Sequence, residues 1–238
     1  MATAGVTELR QYTLVPGARR TLLDVFETHL VEPQEDVGMR VGGTFVDRDE
    51  PDRFVWFRGF SDMAGRREGL EAFYGGPVWA EHADTANATM LDSDDVLLLR
   101  MTDPAHPPGT PSRARPPVGA DVPGEEWVVV EVWQHPSDDE LGGRLATTAH
   151  AAIEAALGTP VATWRTEPAP NDFPRLPVRP ETVFVWAATF PDEASYAAAR
   201  SRLEAAADHG ELSAIAAQVD RLQHLRLQPT PRSQHPSP

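Results

Sequence analysis

Residues 102–125 read TDPAHPPGTPSRARPPVGADVPGE, a run dense in Pro and Gly that carries almost no large apolar side chain. Such a run punctuates a chain instead of packing into a core, so it reads as a linker. What lies on its two sides decides the fold, because one order of patterns occurs twice. Upstream, residues 7–15 alternate as a strand does, and Pro16-Gly17 turns the chain into an amphipathic helix with Leu22, Leu23, Phe26, His29 and Leu30 along one stripe. Residues 40–47 and 53–60 are two further strands, joined by an acidic, Pro-containing turn. A helical stretch from about Ala64 breaks at Gly75-Gly76-Pro77, resumes through Trp79, His82 and Ala86, and leads into an apolar strand over 96–101. The order is β-α-β-β-α-β.

Downstream the order recurs. A strand over 126–134 meets a helix start at Pro136-Ser137, and the helix carries Leu141, Leu145, Ala149, Ile153 and Leu157. Strands over 161–166 and 182–190 are joined by a long Pro-rich loop. Helical stretches over 192–208 and from Glu211 precede a last strand over 222–227. A β-α-β-β-α-β unit forms a four-stranded antiparallel sheet with both helices on one face, because its crossovers are right-handed. The bare face needs a cover, and the second half of the same chain supplies one. The expected fold is therefore α+β: two tandem ferredoxin-like units, residues 1–101 and 126–228, packed sheet to sheet as an α+β barrel. Residues 229–238, polar and Pro-rich, are expected to be a disordered tail.

The formal charge of -15 comes from 36 acidic residues against 21 basic ones, all of them Arg. That balance argues against nucleic acid, whose binding needs a basic face, and against anionic membrane surfaces. With no Cys there is no disulfide, no thiolate nucleophile and no Cys-based metal site. The first residues lack the basic and apolar regions of a signal peptide, and no apolar run approaches the roughly 20 residues of a membrane span. A cytoplasmic protein is expected, and a homodimer is left open.

Alternation divides each strand into two faces. In the first strand Glu8, Arg10 and Tyr12 share a face and Leu9 takes the other, the one suited to the helices. Glu8, Arg10 and Tyr12 are then expected inside the barrel, with one of two sets from the third strand, Phe54, Trp56 and Arg58 or Val55 and Phe57, of which the first is the more amphipathic. Glu131, Trp133 and Trp186 should join them from the second half, with Trp164 nearby. Aromatic walls with a few ionisable groups suit a small, partly apolar ligand. The same Arg and Glu residues would serve equally as structural pairs. His82, one helical turn after Trp79, is a candidate general base or haem ligand, while His29 and His150 read as core histidines. No His or carboxylate set has metal-ligand spacing, so no metal is expected. No nucleophile elbow or phosphate loop is present either.

Four blocks, ELRQYTLVPG at 8–17, FVDRDEPDRFVWFRGF at 45–60, FYGGPVW at 73–79 and NATMLDSDDVLLLR at 87–100, resemble the NIPSNAP family. The resemblance implies the ferredoxin-like, dimeric α+β barrel superfamily. Its members include cofactor-free monooxygenases of antibiotic biosynthesis, lactone isomerases, polyketide cyclases and haem enzymes, and fold alone does not choose among these. The expected function is a cofactor-independent oxygenase, isomerase or cyclase of natural-product biosynthesis, acting on an aromatic or polyketide-like molecule. Arg10 or Arg58 would stabilise an enolate or phenolate, Glu8, Glu131 or His82 would move the proton, and Tyr12 would donate a hydrogen bond. Trp56, Trp79, Trp133, Trp164 and Trp186 would hold the substrate. A carrier of a hydrophobic metabolite, or haem binding through His82 or His150, are the alternatives.

Overall fold

The structure, a computed structural model, describes residues 5–102, 115–121 and 125–234. Its strands are β1 (Val6–Leu14), β2 (Arg40–Asp47), β3 (Arg53–Phe60), β4 (Met90–Met101), β5 (Trp127–Gln134), β6 (Ala162–Thr166), β7 (Val183–Phe190) and β8 (Arg221–Pro229). They close into one barrel in the order β1-β3-β2-β8-β5-β7-β6-β4, and each neighbouring pair is antiparallel. Within the first half the order is β4-β1-β3-β2; within the second it is β8-β5-β7-β6, in which strands at matching places have matching neighbours. The halves meet through hydrogen-bonded seams, β2 with β8 and β4 with β6, so the expected face-to-face packing is one continuous curved sheet.

Helices cover the outside. α1 (Arg19–Val25) passes through a π-helical segment, Phe26–Leu30, into α2 (Val31–Asp36). α3 (Met63–Tyr74) starts on the Asp62 side chain, which accepts from Gly65 N–H, and α4 (Pro77–Asn87) starts with Pro77 in its first turn. The second half repeats the pattern with α5 (Asp139–Arg144), a π segment Leu145–Ala149, α6 (His150–Leu157), α7 (Glu193–Ala207) and α8 (Gly210–Ala216). The π turn is wider than an α turn, so the buried stripe slips by one residue. Leu22, Phe26 and Leu30 are followed inward by Val31 and Gln34, while His29, expected on the stripe, is exposed.

The two sheet faces carry different contents from those expected. Leu9, Val55, Leu97, Leu99, Val128, Val130, Val132, Val183, Val185, Leu225 and Leu227 form one cluster drawn from both halves, which is the barrel interior. With Phe45 and Trp164 in the same cluster, the lumen is filled with apolar, mostly aliphatic side chains. Gln11 and Gln223, on the same faces as Leu9 and Leu225, exchange reciprocal amide hydrogen bonds of 3.0 and 2.9 Å across it. Tyr12, Phe54 and Trp56 instead pack with Leu22, Phe26, Leu70 and Phe73 of the helices, and Trp133, Phe184 and Trp186 pack with Leu141, Leu145, Ile153 and Leu203. Glu8, Arg10, Tyr12, Trp56, Arg58, Glu131, Trp133 and Trp186 thus lie under the helices, not in the lumen. Alternation sorts residues into two sets; it does not say which set the helices cover.

The chain end is also ordered further than its composition suggests. Thr230 N–H donates to Thr44 O at 2.9 Å, the two Thr hydroxyls lie 2.6 Å apart, and Gln234 N–H donates to Gly42 O at 3.2 Å. Arg115 of the linker clamps this segment, donating to Arg232 O, Glu35 and Val41 O. Residues 229–234 are therefore packed on β2, while the expected tail beyond them, 235–238, and linker residues 103–114 and 122–124 lie outside the described residues.

Candidate functional site

The most concentrated polar group lies between the first half's sheet and its helices. Cross-strand register sets Glu8 opposite Arg58, and Arg10 opposite Trp56, on the helix-covered face. Glu8 is 0% exposed and accepts from Arg10 Nη1 at 2.9 Å, from Arg58 Nε and Nη2 at 3.0 and 2.6 Å, and from Arg66 Nε at 2.8 Å. Arg66 comes from the buried face of α3, where a helix pattern gives no hint of a charge. Gln34, turned inward by the π segment, accepts from Arg58 Nη1 at 3.2 Å and donates to Leu30 O at 2.7 Å.

Three buried guanidinium groups thus share one buried carboxylate. Burial by itself would raise the pKa of Glu8, but the charges of Arg58, Arg10 and Arg66 outweigh it and hold the carboxyl well below the usual carboxylate range. Burial pushes the Tyr12 phenol up, so it keeps its proton. Its oxygen accepts from Arg10 Nε at 2.9 Å, which leaves its own hydrogen to donate. Trp56 Nε1, between Arg10 and Arg58, is buried without a partner, and Arg66 Nη2 sits 2.8 Å from Glu8 but out of hydrogen-bond alignment. The unmet groups are all donors.

Aromatic rings enclose the group. Phe26 meets Trp56 edge-on at 4.9 Å, Tyr74 lies 3.4 Å from Arg58 through its hydroxyl, and Trp79 meets Tyr74 at 4.9 Å between ring centres. The outer wall comes from the other half. Residues 167–182, the loop between β6 and β7, cross over the first half with Glu167 N–H on Leu98 O and Arg179 N–H on Val96 O as feet. Between them Asp172 takes Arg66 Nη1 at 2.7 Å, Asn171 accepts from the same nitrogen at 3.1 Å, and Phe173 is buried on Tyr74. Sequence reasoning passed over Gln34, Arg66, Tyr74 and this loop; the loop's length and its Asn-Asp-Phe between prolines were the signal available.

The remaining sequence-predicted residues fall elsewhere. Glu131 has its own cluster under the second half's helices, accepting from Trp133 Nε1 at 2.8 Å, Arg200 Nη1 at 2.6 Å and His224 Nδ1 at 2.9 Å. Burial opposes the charge on Glu131, but the hydrogen bonds from His224 and Trp133 prevail and lower its pKa. Trp186 Nε1 is unpartnered beside it, opposite Glu131 in register, as Trp56 is opposite Arg10. Trp164 does lie in the lumen, stacked on Phe57 at 5.3 Å. His82 is stacked on His29, with ring centres 4.1 Å apart. The nitrogens of His150 lie 3.4 Å from Thr163 and 3.5 Å from Glu154. Among the described residues no group of three or more His, Asp or Glu is placed to hold a metal ion, and no helix is long and apolar enough to cross a membrane.

Comparison with known proteins agrees with the fold. A protein of Fusobacterium nucleatum subsp. nucleatum, provisionally named a monooxygenase, superposes with a TM-score of 0.63 over 97% of this chain and 94% of its own, at 9% identity. An anthrone oxidase-like protein gives 0.56 at 12% identity, over 94% of this chain and 91% of its own. A mutant chlorite dismutase from Candidatus Nitrospira defluvii gives 0.53 at 15% identity, covering 96% and 92%. At such identities the likeness speaks to fold alone. No curated protein matches the chain in sequence. Residues 7–104, which bear the Glu8 cluster and its helices, match the NIPSNAP family model and make up the first half of the eight-stranded barrel.

Proposed function

We propose that the chain is a cofactor-independent enzyme of natural-product chemistry that binds an aromatic or polyketide-like molecule as its enolate or phenolate, beside Arg10, Arg58, Tyr12 and Trp56. One observation carries the reading: every unmet group in the cluster is a donor, and three buried guanidinium groups share one fully buried carboxylate, with the partly exposed Asp172 as a second partner for Arg66 alone. Such a site prefers an oxyanion to the neutral acid and so lowers the pKa of a bound enolisable molecule. The oxyanion is the species that an oxygenase exposes to oxygen, an isomerase reprotonates elsewhere and a cyclase turns on a carbonyl. Tyr74 and Trp79 supply the apolar wall. The proposal also treats the chain as two tandem ferredoxin-like units, of which the first carries the site.

The roles expected from the sequence change accordingly. Glu8, held ionised by three guanidinium groups, is a weak base and serves to position them. No strong base stands in the cluster, which suits a substrate acidic enough to ionise in the site unaided. The same fact favours a second reading, a carrier that holds the anion without turning it over.

Anthrone, whose enolate absorbs at longer wavelength than the keto form, separates these. Wild-type protein is expected to generate the enolate band below the pH at which free anthrone ionises, and Arg10→Met and Trp56→Phe to lose most of it. Oxygen uptake or a rearranged product with the band supports the enzyme; the band with neither supports the carrier. Absence of the band across a panel of enolisable aromatics sinks both.

A further inference from the structure

We infer that the Asn171-Asp172-Phe173 segment occupies the ligand's place, and that the site takes an aromatic carboxylate or an equally acidic aryl compound which displaces it. The inference rests on the anion-binding reading above. The segment offers the features such a ligand would have: a carboxylate on Arg66 and, one residue on, a benzyl ring stacked on Tyr74 at 6.2 Å and 25°. The carboxylate is not fully withdrawn from water. Asp172 is 26% exposed while the Arg66 side chain it meets is 0% exposed, so the segment reaches inward from the surface to a buried charge.

The segment is also hydrogen-bonded within itself, although Leu176 and Val178 pack with Phe173 on the first half's core. Asn171 Oδ1 accepts from Phe173 N–H at 3.1 Å, Asn171 Nδ2 donates to Leu176 O at 2.9 Å, and Leu176 N–H donates to Phe173 O at 3.0 Å. These bonds survive if the loop swings out. Its prolines at 168, 170, 174, 177 and 180 stiffen it between its feet at Glu167 and Arg179. Outward movement frees Arg66 Nη1, adding one more donor to those of Tyr12 and Trp56, and uncovers the Tyr74 ring. A ligand with both an anionic group and a ring replaces both contacts. A neutral aromatic replaces only one and leaves Arg66 buried without its carboxylate.

An internal occupant lowers apparent affinity by the fraction of molecules that are open. The double variant Asp172→Asn/Phe173→Ala, probed by calorimetry with 4-phenylbutyrate, is expected to bind about tenfold more tightly than wild type or better. The neutral 4-phenylbutanamide should bind both proteins at least tenfold more weakly than the acid. In wild type, 4-phenylbutyrate should raise hydrogen exchange across residues 168–178, a readout that needs no variant to fold. Equal or weaker binding by the double variant would make Asp172 and Phe173 ordinary walls of the site and overturn the inference, as would equal affinity for acid and amide. If wild type still forms the anthrone enolate while these tests fail, only the displacement is lost. If the enolate band is absent while the acid binds and the loop opens, only the chemistry is lost.

Discussion

Glu8→Gln tests how far the one carboxylate that touches all three buried guanidinium groups holds them together, Asp172 being a further partner of Arg66 only. The substitution preserves shape but removes the charge, and its amide nitrogen turns a donor toward donors. The carboxylate accepts four N–H bonds from Arg10, Arg58 and Arg66, all of them out of water. Removing one partner of a buried ion pair costs about 3–5 kcal/mol. Gln retains one accepting oxygen, so a loss of about 4 kcal/mol is expected. In a chain of this size that lowers the melting midpoint by roughly 8–16 °C. Circular dichroism melts and urea titrations at pH 7 read both quantities. Acid titration adds a sign. A carboxylate whose folded pKa is depressed contributes stability above its unfolded pKa, about 4.3, and loses that contribution as pH falls toward the folded pKa. Wild-type stability should therefore decline more steeply from about pH 5 downward than that of Glu8→Gln. A loss under about 1 kcal/mol at pH 7, or parallel acid profiles, would refute the buried-cluster account.

Two further outcomes are expected. His224 should carry its proton on Nδ1, because that nitrogen faces Glu131 at 2.9 Å while Nε2 faces the Tyr196 hydroxyl at 2.8 Å; nitrogen NMR shifts read the tautomer, and an Nε2–H form at neutral pH would contradict the hydrogen-bond order. Arg115→Ala should cost about 1–3 kcal/mol and speed hydrogen exchange in residues 230–234, since the guanidinium joins Glu35, Val41 O and Arg232 O; unchanged exchange there would show that the linker does not hold the chain end.

Strand positions were legible because period-two alternation and turn residues are local: the expected strands at 40–47 and 53–60 coincide with β2 and β3. The helix break at Gly75-Gly76-Pro77 falls between α3 and α4 for the same reason. What failed was anything that depends on long-range packing. The polar face of β1 looked fit for a lumen, yet the charges it needs come from Arg66 on α3 and Asp172 on a loop more than a hundred residues away. The π segment moved Gln34 in and His29 out, a one-residue slip invisible to a pattern of fixed period. The chain end read as disordered because its partners, Thr44 and Arg115, are remote in sequence.

The two seams of the barrel bear on how the chain is made. During synthesis β2 is released early, yet its seam partner β8 lies at Arg221–Pro229, so one edge of the first sheet waits for almost the whole polypeptide. The other edge, β4, waits less long, for β6 at Ala162–Thr166. Contacts so distant in sequence form slowly, and unpaired edges are where nascent chains associate wrongly. Yield of folded protein should then depend on the last strand emerging promptly, and loss of residues 221–229 should harm assembly far more than their small share of the core implies.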